Sequence, residues 1–218
     1  MHKIKGTWVN NPSASVVDIL ESGREYHAGM VHYASSLCKN HRLALDVGGC
    51  YGLTANQMAD TFTEVHSFEP NPDTYECLVR NAKQNVVCHK FGACSTEGEK
   101  ILHYLQNDGT ARYERPSNEK MMYRRATYKQ IVTKTIVLDK FVEGAVDLIK
   151  FDVEKHEEYA LRGCLKIVGR DKPVIIMERK ADSPTYIHEA LSLMGYEVNK
   201  VYRGKDHIYV HRSGRYRD

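Results

Sequence analysis

Four carboxylates stand at or near the ends of apolar runs: Asp46 in "LALDV", Glu69 in "VHSFEP", Asp152 in "LIKFDVE" and Glu178 in "VIIMER". One such acid is ordinary, because a strand must end in something polar. Four at successive ends point to one shared site. A carboxylate accepts two hydrogen bonds from a vicinal diol, and Glu69, about twenty residues after a glycine turn, stands where an acid meets ribose hydroxyls. Asp152 and Glu178 together offer hard oxygen ligands of the kind Mg²⁺ or Mn²⁺ takes. Asp152 also opens "DVEKHEE", in which Glu154, Lys155 and His156 are candidates to remove a proton from a hydroxyl. A positioned general base contributes roughly 10²–10⁴-fold. Glu154 or Lys155 leads, with His156 third. Residues 155–158 also suit a solvated first helical turn, and for His156 and Glu157 that plainer reading carries more weight.

The turn after Asp46 is the second place where chemistry is legible. Gly48, Gly49 and Gly52 are spaced G-G-x-x-G, not as the dinucleotide fingerprint G-x-G-x-x-G. A pyrophosphate needs bare N–H groups at a helix N-terminus, where Asp46 would be unwelcome. An acid beside the turn suits a cationic ligand better. Thr54, at the helix start, either caps the helix or bonds a ligand carboxylate, and capping is favoured. Gly92 and Ala93, after a third strand, are small enough to admit a planar ring.

The elements that hold these residues alternate. "RLALDV", "EVHSFEP", "VVCHKFGA", "VDLIKFDVE" and "PVIIMER" read as strands. "LTANQMADTF", "PDTYECLVRNAKQN", "KHEEYALRGCLKIV" and "SPTYIHEALSLMG" read as helices, the last opened by Ser183-Pro184. Residues 1–42 form an N-terminal helical cap, with Ser13 as a candidate cap residue. "YEVNKVYRGKDHIYVHR" reads as two strands around a Gly204-Lys205-Asp206 turn. The expectation is one α/β domain over residues 1–218. It has a mostly parallel seven-stranded sheet, helices on both faces and a C-terminal antiparallel hairpin. That hairpin resembles the Rossmann-like fold of S-adenosylmethionine (SAM)-dependent methyltransferases.

The blocks "LDVGGCYG", "HSFEPNPDTYECLVRNA", "VDLIKFDVEKHEEYALRGC" and "KPVIIMER" resemble the FkbM family of SAM-dependent O-methyltransferases, in order from about residue 43 to 180. The resemblance implies methyl transfer from SAM to a hydroxyl, often of a sugar or glycosylated molecule. On that reading Asp46, Gly48, Gly49, Gly52, Thr54, Glu69, Gly92 and Ala93 hold SAM. Asp152, Glu154, Lys155 and His156 serve the acceptor, and Asp152 with Glu178 takes a divalent metal if one is used. Glu178 has a competing role, binding Arg179, Lys180 or a substrate hydroxyl. Family members usually read "DVEG", and Lys155 stands where that glycine would be. Either the turn differs in shape, or a charged group is added beside the methyl. The spacing of Lys155 after Asp152 is similar to that in metal-dependent catechol O-methyltransferases, whose lysine acts as base.

Charge is placed rather than spread. Residues 103–134, read as a substrate-facing insertion, carry seven Lys/Arg against three Asp/Glu, and residues 200–218 carry six against two. These exceed the whole chain's +3, so the remainder is net acidic. In the insertion, Tyr104, Tyr113, Tyr123 and Tyr128 suit stacking on sugars, and Arg112, Arg115, Arg124 and Arg125 suit anions. A solvated loop or hairpin is the plainer alternative. The lone Trp8 suits a sugar face, though the core is its commoner place.

A net charge of +3 over 218 residues argues against nucleic acid as the main partner. The basic insertion keeps RNA ribose methylation as an alternative, and a non-catalytic SAM- or nucleotide-binding module is another. Six cysteines without metal-ligand spacing imply reduced thiols and a cytoplasmic setting. The N-terminal stretch lacks the apolar core of a signal peptide. No run approaches the roughly 20 apolar residues of a membrane span.

Overall fold

Leu43–Val47 is buried along its whole length and runs through the middle of the main sheet. The computed structural model describes residues 1–11, 15–24, 26–105, 111–113, 128–179 and 186–213. Its first half contains β1 (His2–Ile4), β2 (Thr7–Val9), α1 (Ser15–Glu21), α2 (Ala28–Leu37), β3 (Leu43–Val47) and α3 (Leu53–Met58). There follow β4 (Glu64–Phe68), α4 (Pro72–Asn81), β5 (Val86–His89) and β6 (Gly92–Ala93). Next come β7 (Gly98–Leu105), β8 (Ala111–Arg112), β9 (Tyr128–Ile136) and α5 (Leu138–Phe141). The chain continues through β10 (Val146–Phe151), α6 (Glu157–Arg162), α7 (Leu165–Asp171) and β11 (Val174–Glu178). It closes with α8 (Tyr186–Leu193), β12 (Tyr196–Tyr202) and β13 (Asp206–His211).

The main sheet has seven strands in the order β12-β13-β11-β10-β3-β4-β5. Its five strands from β11 to β5 pair in parallel, and β13 pairs antiparallel with both β11 and β12. This is the expected architecture. Strands covered on both faces must be apolar throughout, so β10 and β11 read as continuous runs instead of alternating ones. Leu45, Val47, Ile149, Phe151 and Met177 pack on one face with Leu138, Leu161 and Leu191 of the helices. Ala44, Leu148 and Ile176 pack on the other with Met30, Val31, Ala55 and Met58. Asp46 and Lys150 are among the charges that interrupt the second face, and both lie toward the carboxyl ends of their strands.

The structure refines several boundaries. The N-terminal region contains a two-stranded hairpin, β1–β2, besides its helices. Asn81 of α4 anchors the hairpin by accepting from the Trp8 N–H at 2.7 Å and donating to the Trp8 carbonyl at 2.8 Å. Trp8 is half-buried, with Lys3 and Arg80 over its ring at 5.5 and 5.3 Å. "KHEEYALRGCLKIV" is two helices, not one. The chain turns at Gly163, where a side chain would overlap the Cys94 carbonyl. The third strand likewise divides into β5 and β6. The insertion is rooted in a second, four-stranded sheet of order β6-β9-β7-β8, in which β7 and β9 pair along their lengths. Ser13, Arg115, Tyr123, Arg124, Arg125, Lys180, Ser183, Pro184 and the side chain of Tyr128 lie outside the described residues. Among the described residues no helix is long and apolar enough to cross a membrane.

Candidate active site

The carboxyl ends of β3, β4, β10 and β11 open onto one pocket. It is lined by Gly48, Gly49, Thr54, Glu69, Gly92, Ala93, Asp152, Glu154, His156 and Glu178, all residues singled out from sequence. It is also lined by Tyr26, Tyr113, Lys150 and Lys205. The topology explains the convergence, because ligands of open α/β sheets settle outside the carboxyl ends of the strands at the switch point. Here β3 is that point, with β4 to one side and β10 to the other.

The glycine turn is shaped by its neighbours as much as by any ligand. Gly48 has φ +96°, and a side chain there would overlap the Asp152 carbonyl oxygen. Gly48 and Gly49 both donate N–H to the Phe68 carbonyl at 3.0 Å, binding the turn to the tip of β4. Glu69 is held by the same turn. Its carboxylate accepts from the Cys50 N–H at 2.8 Å and the Asn71 N–H at 2.9 Å. Burial pushes Glu69 up to about 6, with the two N–H groups partly opposing. Thr54 is buried and faces the pocket. The N-cap of α3 is Gly52, without a side-chain cap bond, so the favoured capping role for Thr54 is not what the structure has. A ring of the protein itself, not a ligand's, lies close against Gly92. That ring is the phenol of Tyr113, which bonds Thr133 at 3.1 Å.

Asp46 does not line the pocket. It is wholly buried in a row set by register, Ser67 on β4, Asp46 on β3 and Lys150 on β10. The Lys150 ammonium lies 3.3 Å from Asp46 and 3.3 Å from Asp152. Burial opposes the lysine's charge, but the two carboxylates outweigh it and hold Lys150 above the ordinary lysine range. Burial likewise raises Asp152, and Lys150 more than offsets that, keeping Asp152 ionised. Lys150 therefore ties the acid of the glycine turn to the acid of the DVEKHEE segment.

Where the glycine would stand, that segment adopts backbone angles that favour glycine. Glu154 has φ 51° and Lys155 φ 74°, so two consecutive side-chain-bearing residues occupy the left-handed region. Such residues cost of order 1–3 kcal/mol each and persist only when their surroundings impose them. Glu157 supplies the restraint, accepting from the Val153 N–H at 3.1 Å and the Lys155 N–H at 3.3 Å. His156 and Glu157 are both buried, 4% and 6% exposed, which overturns the solvated-turn reading for them. Burial raises Glu157 to about 7 and lowers His156 to about 4, leaving the imidazole neutral. His156 sits between the rings of Tyr113 and Tyr159, each 4.7 Å away. Lys155 is exposed and does not line the pocket.

At the far end, carboxylate oxygens of Asp152, Glu154 and Glu178 lie within 4.8 Å of one another. Glu178 pairs with Lys205. Glu154 lies 3.7 Å from Arg112, which the short strand β8 brings over the turn. Burial lowers Lys205, and Glu178 raises it further, so it stays an ammonium. Of the insertion's described tyrosines, Tyr113 reaches the pocket, whereas Tyr104 is buried in the small sheet. Tyr26, Lys150 and Lys205 were not singled out from sequence. Lys150 alone left a signal, a lysine inside an otherwise apolar strand.

The profile of the methyltransferase FkbM domain matches residues 46–203. The chain belongs to the FkbM methyltransferase family. It is 27% identical over 179 residues to the hexuronic acid methyltransferase AglP of Haloferax volcanii, covering 77% of this chain and 70% of that protein. A crystal structure of an FkbM methyltransferase from Methylobacillus flagellatus superposes with TM-score 0.52 at 13% identity. The match covers 90% of this chain and 52% of that one, so the chain spans about half the length of that relative. The precorrin 8W decarboxylase of Methanobacterium thermoautotrophicum superposes with TM-score 0.51 at 14% identity, covering 96% and 99% of the two chains. At such identities the structural likenesses show the fold. The family match shows a methyltransferase.

Proposed function

We propose that the chain is a SAM-dependent O-methyltransferase acting on a hydroxyl of a sugar, with uronic acids the first class to test. SAM is the donor the family implies. The named activity of the AglP relative supports a carbohydrate acceptor. One observation carries the reading. The carboxylate of Glu69 and a cluster of three further carboxylates, Asp152, Glu154 and Glu178, face one pocket from opposite sides of the glycine turn.

In this reading Glu69 binds the ribose, and the adenine lies along Gly92, Ala93 and Tyr113. The turn at residues 48–52, with Thr54, receives the amino-acid portion. Asp46 acts from behind, by fixing Lys150. The acceptor hydroxyl lies among Asp152, Glu154 and Glu178. Glu154 takes its proton, because it lines the pocket as a carboxylate, whereas Lys155 faces outward and His156, which also lines the pocket, is packed against two rings. The O–H bond breaks toward the Glu154 carboxylate as the oxygen bonds to the methyl carbon. The carbon–sulfur bond breaks, its electron pair stays on sulfur, and the sulfonium charge disappears. Most of the remaining acceleration comes from holding oxygen, methyl and sulfur in line.

The residues do not suit a resident divalent metal as they are arranged. Spacing and oxygen chemistry are right for Mg²⁺ or Mn²⁺, and Glu154 joins the expected pair Asp152 and Glu178. Each carboxylate, however, already has a cation: Lys150 at Asp152, Arg112 at Glu154 and Lys205 at Glu178. No step is assigned to a metal.

Labelled-methyl transfer from SAM to a panel of neutral sugars and uronic acids tests the proposal. Transfer to at least one sugar is expected. SAM binding with transfer to none, alongside transfer to RNA, would replace the acceptor class.

A further inference from the structure

We propose that Lys205 is the cation of the acceptor site: a tethered ammonium that touches the acceptor oxygen and takes the place of a divalent ion. The inference rests on the methyltransferase reading above and names the group that assists proton removal. Lys205 lines the same pocket as Asp152, Glu154 and Glu178. Its ammonium pairs with the buried Glu178 carboxylate, yet its side chain is 44% exposed, so it stands at the mouth. A lysine ammonium has three donors. One bond to Glu178 orients it and leaves the others for a ligand oxygen.

The backbone makes this a fixed group. The β12–β13 hairpin turns through Arg203 at φ 49° and Gly204 at φ 70°. The Lys205 N–H donates to the Tyr202 carbonyl at 3.1 Å, and its carbonyl accepts from the Arg179 N–H at 2.8 Å. Asp206, next in sequence, is the register partner of Glu178. The hairpin tip is thereby fastened to the end of β11.

The charge balance gives the ammonium its role. Three carboxylates crowded within 4.8 Å would attract a divalent ion. With Arg112 on Glu154, Lys205 on Glu178 and Lys150 shared between Asp46 and Asp152, each carboxylate of the cluster already has a cation beside it. An ammonium against the acceptor oxygen lowers that oxygen's hold on its proton, the effect a Lewis acid would give. The proton goes to Glu154, the methyl carbon bonds to oxygen, sulfur keeps the electron pair, and Lys205 retains its own protons throughout.

The test is Mn²⁺ binding to the full chain, followed by electron paramagnetic resonance, for wild type, Lys205→Met, Lys205→Gln, Lys205→Arg and the double variant Lys205→Met/Glu178→Gln. Calorimetry with S-adenosylhomocysteine runs in parallel. Removing the ammonium should tighten Mn²⁺ binding by about tenfold or more, which is about 1.4 kcal/mol. Lys205→Arg should stay at the wild-type value, and the double variant should lose the gain. Turnover on a sugar acceptor should survive EDTA in wild type, fall in Lys205→Met, and recover in part with Mn²⁺. Unchanged Mn²⁺ affinity in both Lys205→Met and Lys205→Gln, or wild-type turnover abolished by EDTA, would overturn the proposal. Failure of S-adenosylhomocysteine to bind any variant would instead sink the methyltransferase reading, with the metal comparison still deciding the status of the ammonium.

Discussion

The two ends of the pocket are built by different means. At the Glu69 end the carboxylate is held by backbone N–H groups of Cys50 and Asn71, and the turn by the Phe68 carbonyl. At the Glu154 end, side chains hold side chains: Lys150 on Asp152, Arg112 on Glu154 and Lys205 on Glu178. The first arrangement depends on strand and turn geometry, which many sequences can reproduce. The second depends on particular charged residues from β8, β10 and the C-terminal hairpin. The difference fits a common donor bound at one end and an acceptor peculiar to this chain at the other.

The largest effect should come from the Glu154 end. Glu154→Gln should lower turnover by roughly 10²–10⁴-fold, while calorimetry finds S-adenosylhomocysteine affinity little changed. A parallel loss of donor affinity would mean that the two ends are not separable. Lys150→Met attacks the link between them. Removing one partner of a buried pair costs about 3–5 kcal/mol, readable in urea unfolding. Adding Asp46→Asn should recover part of that loss, since one stranded charge is then gone. No recovery would show that Asp46 is not the partner that matters.

Three smaller effects sharpen the contrast. Glu69 has its pKa raised to about 6 and must be ionised to accept from a diol, so donor affinity should fall as pH drops through about 6. Affinity flat from pH 5 to 8 would remove Glu69 from the ribose. Glu157 is raised to about 7, so the folded state binds more protons than the unfolded one between the ordinary carboxylate pKa and about 7. Stability attached to this group is therefore present at low pH and lost as pH rises through that window. Glu157→Gln keeps an oxygen for the Val153 and Lys155 N–H groups. It should raise the melting temperature at pH 8 relative to wild type and change it little at pH 4. Least of all, Lys155→Gly should relieve left-handed strain by about 1 kcal/mol, or roughly 2–4 °C in Tm.

How much of this the sequence disclosed depends on the reach of each interaction. The parallel sheet, its terminal hairpin and the acids at the strand tips were legible, because apolar runs and their polar ends are local patterns. The Lys155 position was legible as a departure from a glycine, and the structure shows Glu154 and Lys155 both in the left-handed region, at a cost in backbone strain. The burial of His156 was not, since Tyr113, which packs against it, comes from the separate insertion. Lys150 was visible as a charge in an apolar strand, but its pairing with Asp46 required the register of β3 against β10. Lys205 gave no signal. A lysine in a hairpin turn is ordinary until β13 pairs with β11 and sets it beside Glu178.

The central claim is that Glu69 and the glycine turn bind the adenosine of a methyl donor. Calorimetric titration of S-adenosylhomocysteine into wild type and Glu69→Ala tests it most directly. Micromolar binding to wild type, weakened about tenfold or more in the variant, which is about 1.4 kcal/mol, is the predicted result. Equal affinity in the two proteins, or no binding to a folded wild type, would contradict it.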